Sequence, residues 1–150
     1  MTPTCASLEA EYAALTFPRF AEAEAQALGA QLIALAGTAP VVINIRTPDR
    51  VYFHAALPGS APLNDLWIKR KSNTALLFQL PSFLVGARNR EAGHLLSRNG
   101  LAEADYADNG GAVPIKVAGV GVVACATVSG LPQAEDHALV VAAMQAFLAG

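Results

Sequence analysis

The chain has 150 residues, of which 53% are apolar and only 15% charged, with a formal net charge of −2. A typical soluble domain carries about 25% charged residues, so we expect part of the apolar excess to lie in contacts between subunits. The slightly acidic balance gives no general attraction to nucleic acid or acidic membranes, and a partner of neither kind is expected. The length is that of one ordinary domain, spanning residues 1–150.

The first third of the chain predicts two helices and a β-hairpin. Thr4 can cap a helix that runs to about residue 15, and the segment TFPRF ends it because proline disfavours helix at the preceding residue. A second helix is predicted over residues 21–36, with leucines on one face and Gly37 at its end. Two β-branched and aromatic runs, VVINIR (41–46) and RVYFHAAL (50–57), flank the turn TPD and predict the hairpin.

The remainder predicts further helices around a second hairpin. A long helix is expected over about residues 64–78 and a shorter one from Ser82 to a stop at Gly93. Strands at 112–117 and 122–129 flank the turn AGVG, and a final helix follows Pro132. Two hairpins separated by helices indicate an antiparallel sheet covered by helices rather than a βαβ crossover fold. The final helix has no charged residue after His137, so we expect part of it to pack against another subunit.

The segment WIKRK contains the single basic cluster of the chain, and its three cations are not equivalent. On a helical wheel, Lys71 falls about 40° from Trp67 and interrupts the apolar stripe, whereas Lys69 lies about 160° away and faces solvent. Arg70 flanks the stripe on the other side, about 60° from Trp67. Lys71 either extends its ammonium to water or meets a carboxylate, a helix end or a bound anion.

Other motifs favour structural interpretations. GVGVVA (119–124) matches the residue pattern G-x-G-x-x-G/A of dinucleotide-binding sites. It joins two predicted strands and precedes no helix, so we interpret it as a hairpin turn. EDH (135–137) contains residue types that bind metals, but no further set of ligands that would complete a metal site is visible in the sequence. Ser129 does not lie in the G-x-S-x-G motif of a nucleophile elbow. The histidines are scattered, and Cys5 and Cys125 are expected to be free thiols. No catalytic residue and no metal site are predicted.

The segment MTPTCASLEAEY lacks a basic stretch followed by an apolar one, so no signal peptide is visible. The longest apolar run spans residues 117–128, whereas crossing a bilayer takes about 20 residues. We therefore expect a cytoplasmic protein.

Several stretches together resemble one family. FHAALPGSAPLNDLWIKRKSNTALLF, GGAVPIKVAGVGVVACATVSGLPQAEDHALV and the strand INIR are similar to the uncharacterised branch of the haem-degrading-domain family, which includes GlcG-like proteins, secreted haem-binding proteins and the C-terminal domain of PduO-type proteins. The resemblance covers nearly the whole chain from about Leu8. It implies a profilin-like three-layer α/β/α fold with an antiparallel sheet of about five strands. Four strands are evident, and the fifth is expected near residues 94–97. The resemblance also implies dimers that assemble further.

Three elements of the family pattern map onto this sequence. The family's lysine-threonine-alanine element on the long helix matches Lys71, Thr74 and Ala75. Its glycine pair with a following Pro-Ile matches Gly110, Gly111, Pro114 and Ile115. Its Ser-Gly…Asp element before the last helix matches Ser129, Gly130 and Asp136. Lys71 is therefore singled out both by the wheel and by the resemblance.

Two functional hypotheses stay open, with an enzyme as a third. In the first, Lys71, helped by Arg70 and with Thr74 and Asp136 near it, binds a small anionic molecule beside the turn of Gly110 and Gly111. A tetrapyrrole propionate or a small carboxylic acid fits this chemistry, so haem is a candidate cofactor. In the second, the protein is an oligomeric interaction module in which Lys71 forms a structural ion pair with Asp136. The third is a haem-degrading enzyme, although no nucleophile–base pair emerges.

Overall fold

The computed structural model describes residues 2–150. The elements follow in the order α1 (Cys5–Ala13), β1 (Thr16–Phe17), α2 (Glu22–Ala36), β2 (Val42–Arg46), β3 (Val51–Ala56), α3 (Pro62–Phe78), α4 (Ser82–Ala92), a 3₁₀ turn (Leu96–Asn99), β4 (Ala112–Val117), β5 (Gly121–Ser129) and α5 (Gln133–Ala149). The predicted helices and both hairpins are present. Among the described residues, no helix is long and apolar enough to cross a membrane.

The five strands form one sheet in the order β1-β4-β5-β2-β3. The β2–β3, β2–β5 and β4–β5 pairs are antiparallel, whereas the short edge strand β1 runs parallel to β4. Helices α2 and α5 cover one face of the sheet, and α3 crosses the other. The fold is therefore a sheet between helical layers, as expected, although the sheet is mixed rather than wholly antiparallel.

The position predicted for the fifth strand is wrong. Residues 96–99 form a 3₁₀ turn, and the fifth strand is β1, in which Thr16 and Phe17 pair with Lys116 and Val117. A two-residue strand is too short to show an alternating pattern of apolar and polar residues. Its place is set instead by burial, since the Phe17 side chain is fully enclosed in the main core.

The main core lies between the sheet and the α2–α5 layer. Alternate residues of β2, β4 and β5 point into it because side chains of a strand alternate between its two faces. The largest enclosed side chains of this core include Leu28, Leu32, Ile43, Ile115 and Met144. Burying a side chain of this size stabilises the fold by about 1.5–3 kcal/mol.

Helix α5 is buried on one side only within this chain. Val140, Ala143 and Met144 are enclosed against the sheet and α2, whereas Ala138 and Ala142 lie on the exposed side. The apolar character of the exposed side was the basis for expecting a subunit contact, and that expectation stays a prediction.

Candidate functional site between α3 and the start of α5

The Lys71 side chain is directed inward from α3, and only 3% of it is exposed. Its Nζ atom donates to the carbonyl oxygens of Val128 (2.8 Å) and Gly110 (3.0 Å), and it lies 3.1 Å from Oδ2 of Asp136. A lysine ammonium has three N–H donors and no acceptor. All three donors are therefore satisfied by the protein itself, and Lys71 does not extend its ammonium to water.

Asp136, in the first turn of α5, completes the pair. Its Oδ1 atom accepts a hydrogen bond from the backbone N–H of Leu131 at 3.0 Å, while Oδ2 faces Lys71. Burial raises the pKa of Asp136 and lowers the pKa of Lys71, and the attraction between the two groups opposes both shifts. The result is a buried ion pair that is neutral overall and ties α3, the end of β5 and α5 together.

The glycine pair is shaped by this arrangement. Gly111 has a φ of 136°, and a Cβ atom placed on it would lie 2.6 Å from Nζ of Lys71. The N–H of Gly110 donates to Oε1 of Gln133 at 2.9 Å. The space that a side chain at Gly111 would fill is occupied by the Val128 carbonyl oxygen, which is the atom nearest to the Cβ position, and by the lysine ammonium. The glycines allow Lys71 to approach the backbone closely, which gives them a structural purpose.

Arg70 and Thr74 do not join the ion pair. The Arg70 guanidinium stacks on the Trp67 ring, with its carbon 4.3 Å from the ring centroid, and its Nε donates to the Glu103 carbonyl at 2.8 Å. The Thr74 hydroxyl accepts from the N–H of Ala107 at 3.0 Å and donates to the Arg70 carbonyl at 3.1 Å. Of the predicted residues, the structure thus gathers Lys71, Gly110, Gly111 and Asp136. Arg70 and Thr74 instead fasten the segment 103–107 to α3.

A cavity of about 240 Å³ lies next to the ion pair, and we call it the Ser129 cavity. Its lining residues are Asn64, Trp67, Lys71, Asn109, Ser129, Gly130, Leu131, Gln133 and Asp136. The Ser129 residue is almost completely buried, with 4% of it exposed, and its side chain lines the cavity. Sequence reasoning did not select the neutral polar side chains Asn64, Asn109 and Gln133.

Two of these amide side chains have their orientation fixed by the backbone. Oδ1 of Asn64 accepts from the N–H of Ala61 at 2.9 Å, and Oε1 of Gln133 accepts from Gly110. An amide group that uses its oxygen in this way has its NH₂ end left to donate. Each oxygen of Asp136 also accepts a hydrogen bond, so the cavity places amide NH₂ donors beside a carboxylate that is already paired with Lys71.

A second cavity, of about 410 Å³, adjoins the first, and we call it the leucine-lined cavity. Trp67 and Asn109 line both cavities. The other lining residues of the second cavity are Arg70, Leu95, Leu96, Ser97, Leu101, Glu103, Tyr106, Ala107 and Asp108. The Trp67 ring and the Asn109 side chain therefore mark the junction of a polar and a largely apolar space.

Other candidate centres lie apart from this site. Within residues 2–150, no three His, Cys, Asp or Glu side chains are grouped so that they could hold a metal ion. Cys5 and Cys125 are free thiols, as expected. The GVGVVA segment spans the turn between β4 and β5, which agrees with its interpretation as a hairpin turn.

The fold defines a class of proteins with a five-stranded sheet between helices. The crystal structure of a PduOC:heme complex has this fold, with a TM-score of 0.73 over 85% of this chain and 94% of that chain, at 15% identity. The crystal structure of the Ybr137w protein matches more fully, with a TM-score of 0.88, 32% identity and coverage of 97% of this chain and 88% of that chain.

The chain belongs to the family described as haem degrading protein HbpS-like, whose model matches residues 20–145. A UPF0303 protein of Streptomyces coelicolor is 48% identical over 149 residues, which cover 97% of this chain and 94% of that protein. The resemblance inferred from the sequence is therefore confirmed.

Proposed function

We propose that this protein is a homo-oligomeric small-ligand-binding protein of one domain that holds an anionic group in the Ser129 cavity. The observation that carries the proposal is the lining of the cavity, in which Asn64 and Gln133 use their oxygens on the backbone and keep their NH₂ groups to donate, while Asp136, the one carboxylate of the lining, is paired with Lys71. A group rich in acceptors, such as a carboxylate, matches such a lining.

The proposed recognition uses neutral groups rather than the Lys71 ammonium. The NH₂ ends of Asn64 and Gln133 and the Ser129 hydroxyl would donate to the bound oxygens. The cavity also lies at the N-terminal end of α5, where the helix dipole favours negative charge. Lys71 acts indirectly in this proposal, because its ion pair with Asp136 fixes the position of α5 relative to α3.

Two ligand classes fit the proposal, a tetrapyrrole bound through a propionate and a small carboxylic acid. Haem is a candidate because the PduOC protein, which shares the fold, forms a complex with it. Haem iron in proteins is held by His, Cys, Met or Tyr. Tyr106 lines the leucine-lined cavity and is the residue of this kind that would hold the iron there. We propose that the protein acts in the cytoplasm.

A second candidate function is an oligomeric interaction module without a small ligand. It is favoured by the complete satisfaction of the three Lys71 donors, which is what a structural ion pair requires. In this case the exposed alanine side of α5 would serve self-association, and the Ser129 cavity would contain only water. Haem degradation stays a third hypothesis.

An absorbance titration with hemin and an isothermal calorimetric titration with acetate test the proposal. Gln133→Glu places a carboxylate in the cavity, and we expect it to weaken binding of either ligand about tenfold or more, because one donor is lost and like charges repel. Gln79→Glu adds the same charge at an exposed residue after α3, outside both cavities, and serves as the control. Saturable binding that Gln133→Glu weakens supports the proposal. If neither hemin nor acetate binds, and Ala142→Glu on the exposed side of α5 dissociates the oligomer without unfolding the chain, the interaction module is the better account.

A further inference from the structure

The two cavities that meet at Trp67 differ in size and in polarity. Ligand sites usually measure about 300–1,000 Å³, and the leucine-lined cavity of about 410 Å³ falls within that range. The Ser129 cavity, at about 240 Å³, is smaller than a usual site. It has room for the polar end of a molecule rather than for a whole ligand.

The charges around the leucine-lined cavity do not suit an anionic group. One cation, Arg70, lines it together with two acidic residues, Glu103 and Asp108. The Nε atom of Arg70 is already engaged by the Glu103 carbonyl, and its guanidinium carbon lies over the Trp67 ring, 4.3 Å from the centroid. The residues that line this cavity carry a formal net charge of −1, whereas Lys71 and Asp136 cancel in the lining of the Ser129 cavity. The anionic end of a ligand therefore belongs in the Ser129 cavity, on the other side of Trp67.

The walls of the leucine-lined cavity suit a flat apolar body. Leu96, Leu101 and Tyr106 contribute apolar surface, and the flat indole ring of Trp67, with Arg70 over it, also lines the cavity. Leu95 also lines this cavity, and 75% of it is exposed, which is unusual for a leucine. Covering this surface with an apolar ligand would be favourable in proportion to the area removed from water.

We infer that the ligand is an amphipathic carboxylic acid, with a flat apolar body in the leucine-lined cavity and its carboxylate in the Ser129 cavity. This inference rests on the proposed function and narrows it, because a bare small acid would leave the larger cavity empty. Trp67 separates the two ends, so the ligand has a short linker between its body and its carboxylate. An aryl-alkanoic acid has this chemistry.

The only tryptophan of the chain is Trp67, so its fluorescence reports on the junction directly. We would titrate the full chain with 4-phenylbutyrate, with acetate and with the uncharged 4-phenylbutyramide, measuring fluorescence and heat. We expect 4-phenylbutyrate to bind saturably and at least tenfold more tightly than either of the others. Leu101→Asn should weaken the binding of 4-phenylbutyrate about tenfold without changing the affinity for acetate. Leu77→Asn is the control, since Leu77 is exposed on α3 and lines neither cavity.

The outcomes separate the inference from the proposed function. If acetate and 4-phenylbutyrate bind equally well and Gln133→Glu weakens both, an anion site exists but the inferred ligand class is wrong. If 4-phenylbutyramide binds as tightly as the acid, the carboxylate is not recognised and both are wrong. Absence of binding by all three probes and by hemin also overturns both. Circular dichroism spectra of each variant confirm that a change in affinity does not reflect unfolding.

Discussion

Replacement of Lys71 by methionine tests whether the buried ion pair holds the fold together. Methionine keeps most of the length of the side chain but removes its charge and its three donors. The Asp136 carboxylate is then buried without a counter-ion, and the carbonyl groups of Gly110 and Val128 lose a donor. Removing one partner of a buried pair costs about 3–5 kcal/mol. Proteins of this size have a free energy of unfolding of about 5–15 kcal/mol. We therefore expect Lys71→Met to lose a large part of the free energy of unfolding.

The assay is urea denaturation of the variant beside Lys69→Met. Lys69 is two residues away on the same helix, but 55% of its side chain is exposed. Its Nζ atom lies 3.6 Å from Oδ1 of Asp105 at the surface. An exposed pair of this kind contributes about 0–1 kcal/mol. The reasoning would be refuted if the two variants lost similar amounts of stability. It would also be refuted if Lys71→Met had the same midpoint urea concentration of unfolding as the unsubstituted protein.

Three further predictions follow from the same structure. Gly111→Ala should cost about 3 kcal/mol or more in urea denaturation because it forces Lys71 aside, whereas Gly119→Ala, with a positive φ but open space around it, should cost about 1–2 kcal/mol. Burial raises the pKa of Cys125 from 9.0 to about 12. The stability from this group is therefore present below about pH 9 and falls by about 1 kcal/mol by about pH 10. Cys125→Ala should reduce this loss in denaturation curves, and the part that remains is expected from Tyr12, whose pKa is also raised by burial. In the folded protein a thiol reagent should modify the partly exposed Cys5 and not Cys125, and rapid reaction of both thiols would contradict the burial.

Much of the fold was predictable because its signals are local. The two hairpins have β-branched and aromatic runs around clear turns, and the helices carry stop signals such as Gly37 and Gly93. The parallel pairing of β1 was not predictable from residues 16 and 17, because it depends on the position of β4, about a hundred residues later in the chain.

The candidate site was predictable only in part. Lys71 was conspicuous because a cation that interrupts an apolar stripe must find a partner when it is buried, and Asp136 was named as one such partner. The wheel could not show that Arg70, which is adjacent in sequence, fastens a different segment. Asn64 and Gln133 were missed because a neutral amide on a helix is usually a solvated residue. Only the three-dimensional arrangement shows that both residues line one cavity and use their oxygens on the backbone.

The central claim is that an anionic group binds between Trp67 and the first turn of α5. The most direct measurement is a two-dimensional ¹H–¹⁵N NMR titration with 4-phenylbutyrate, observing side-chain signals. The account predicts saturable shifts of the single indole N–H and of the NH₂ groups of Asn64 and Gln133, with the exposed Gln145 NH₂ unchanged. Saturable shifts confined to other parts of the molecule, or no shift at these three groups, would contradict it.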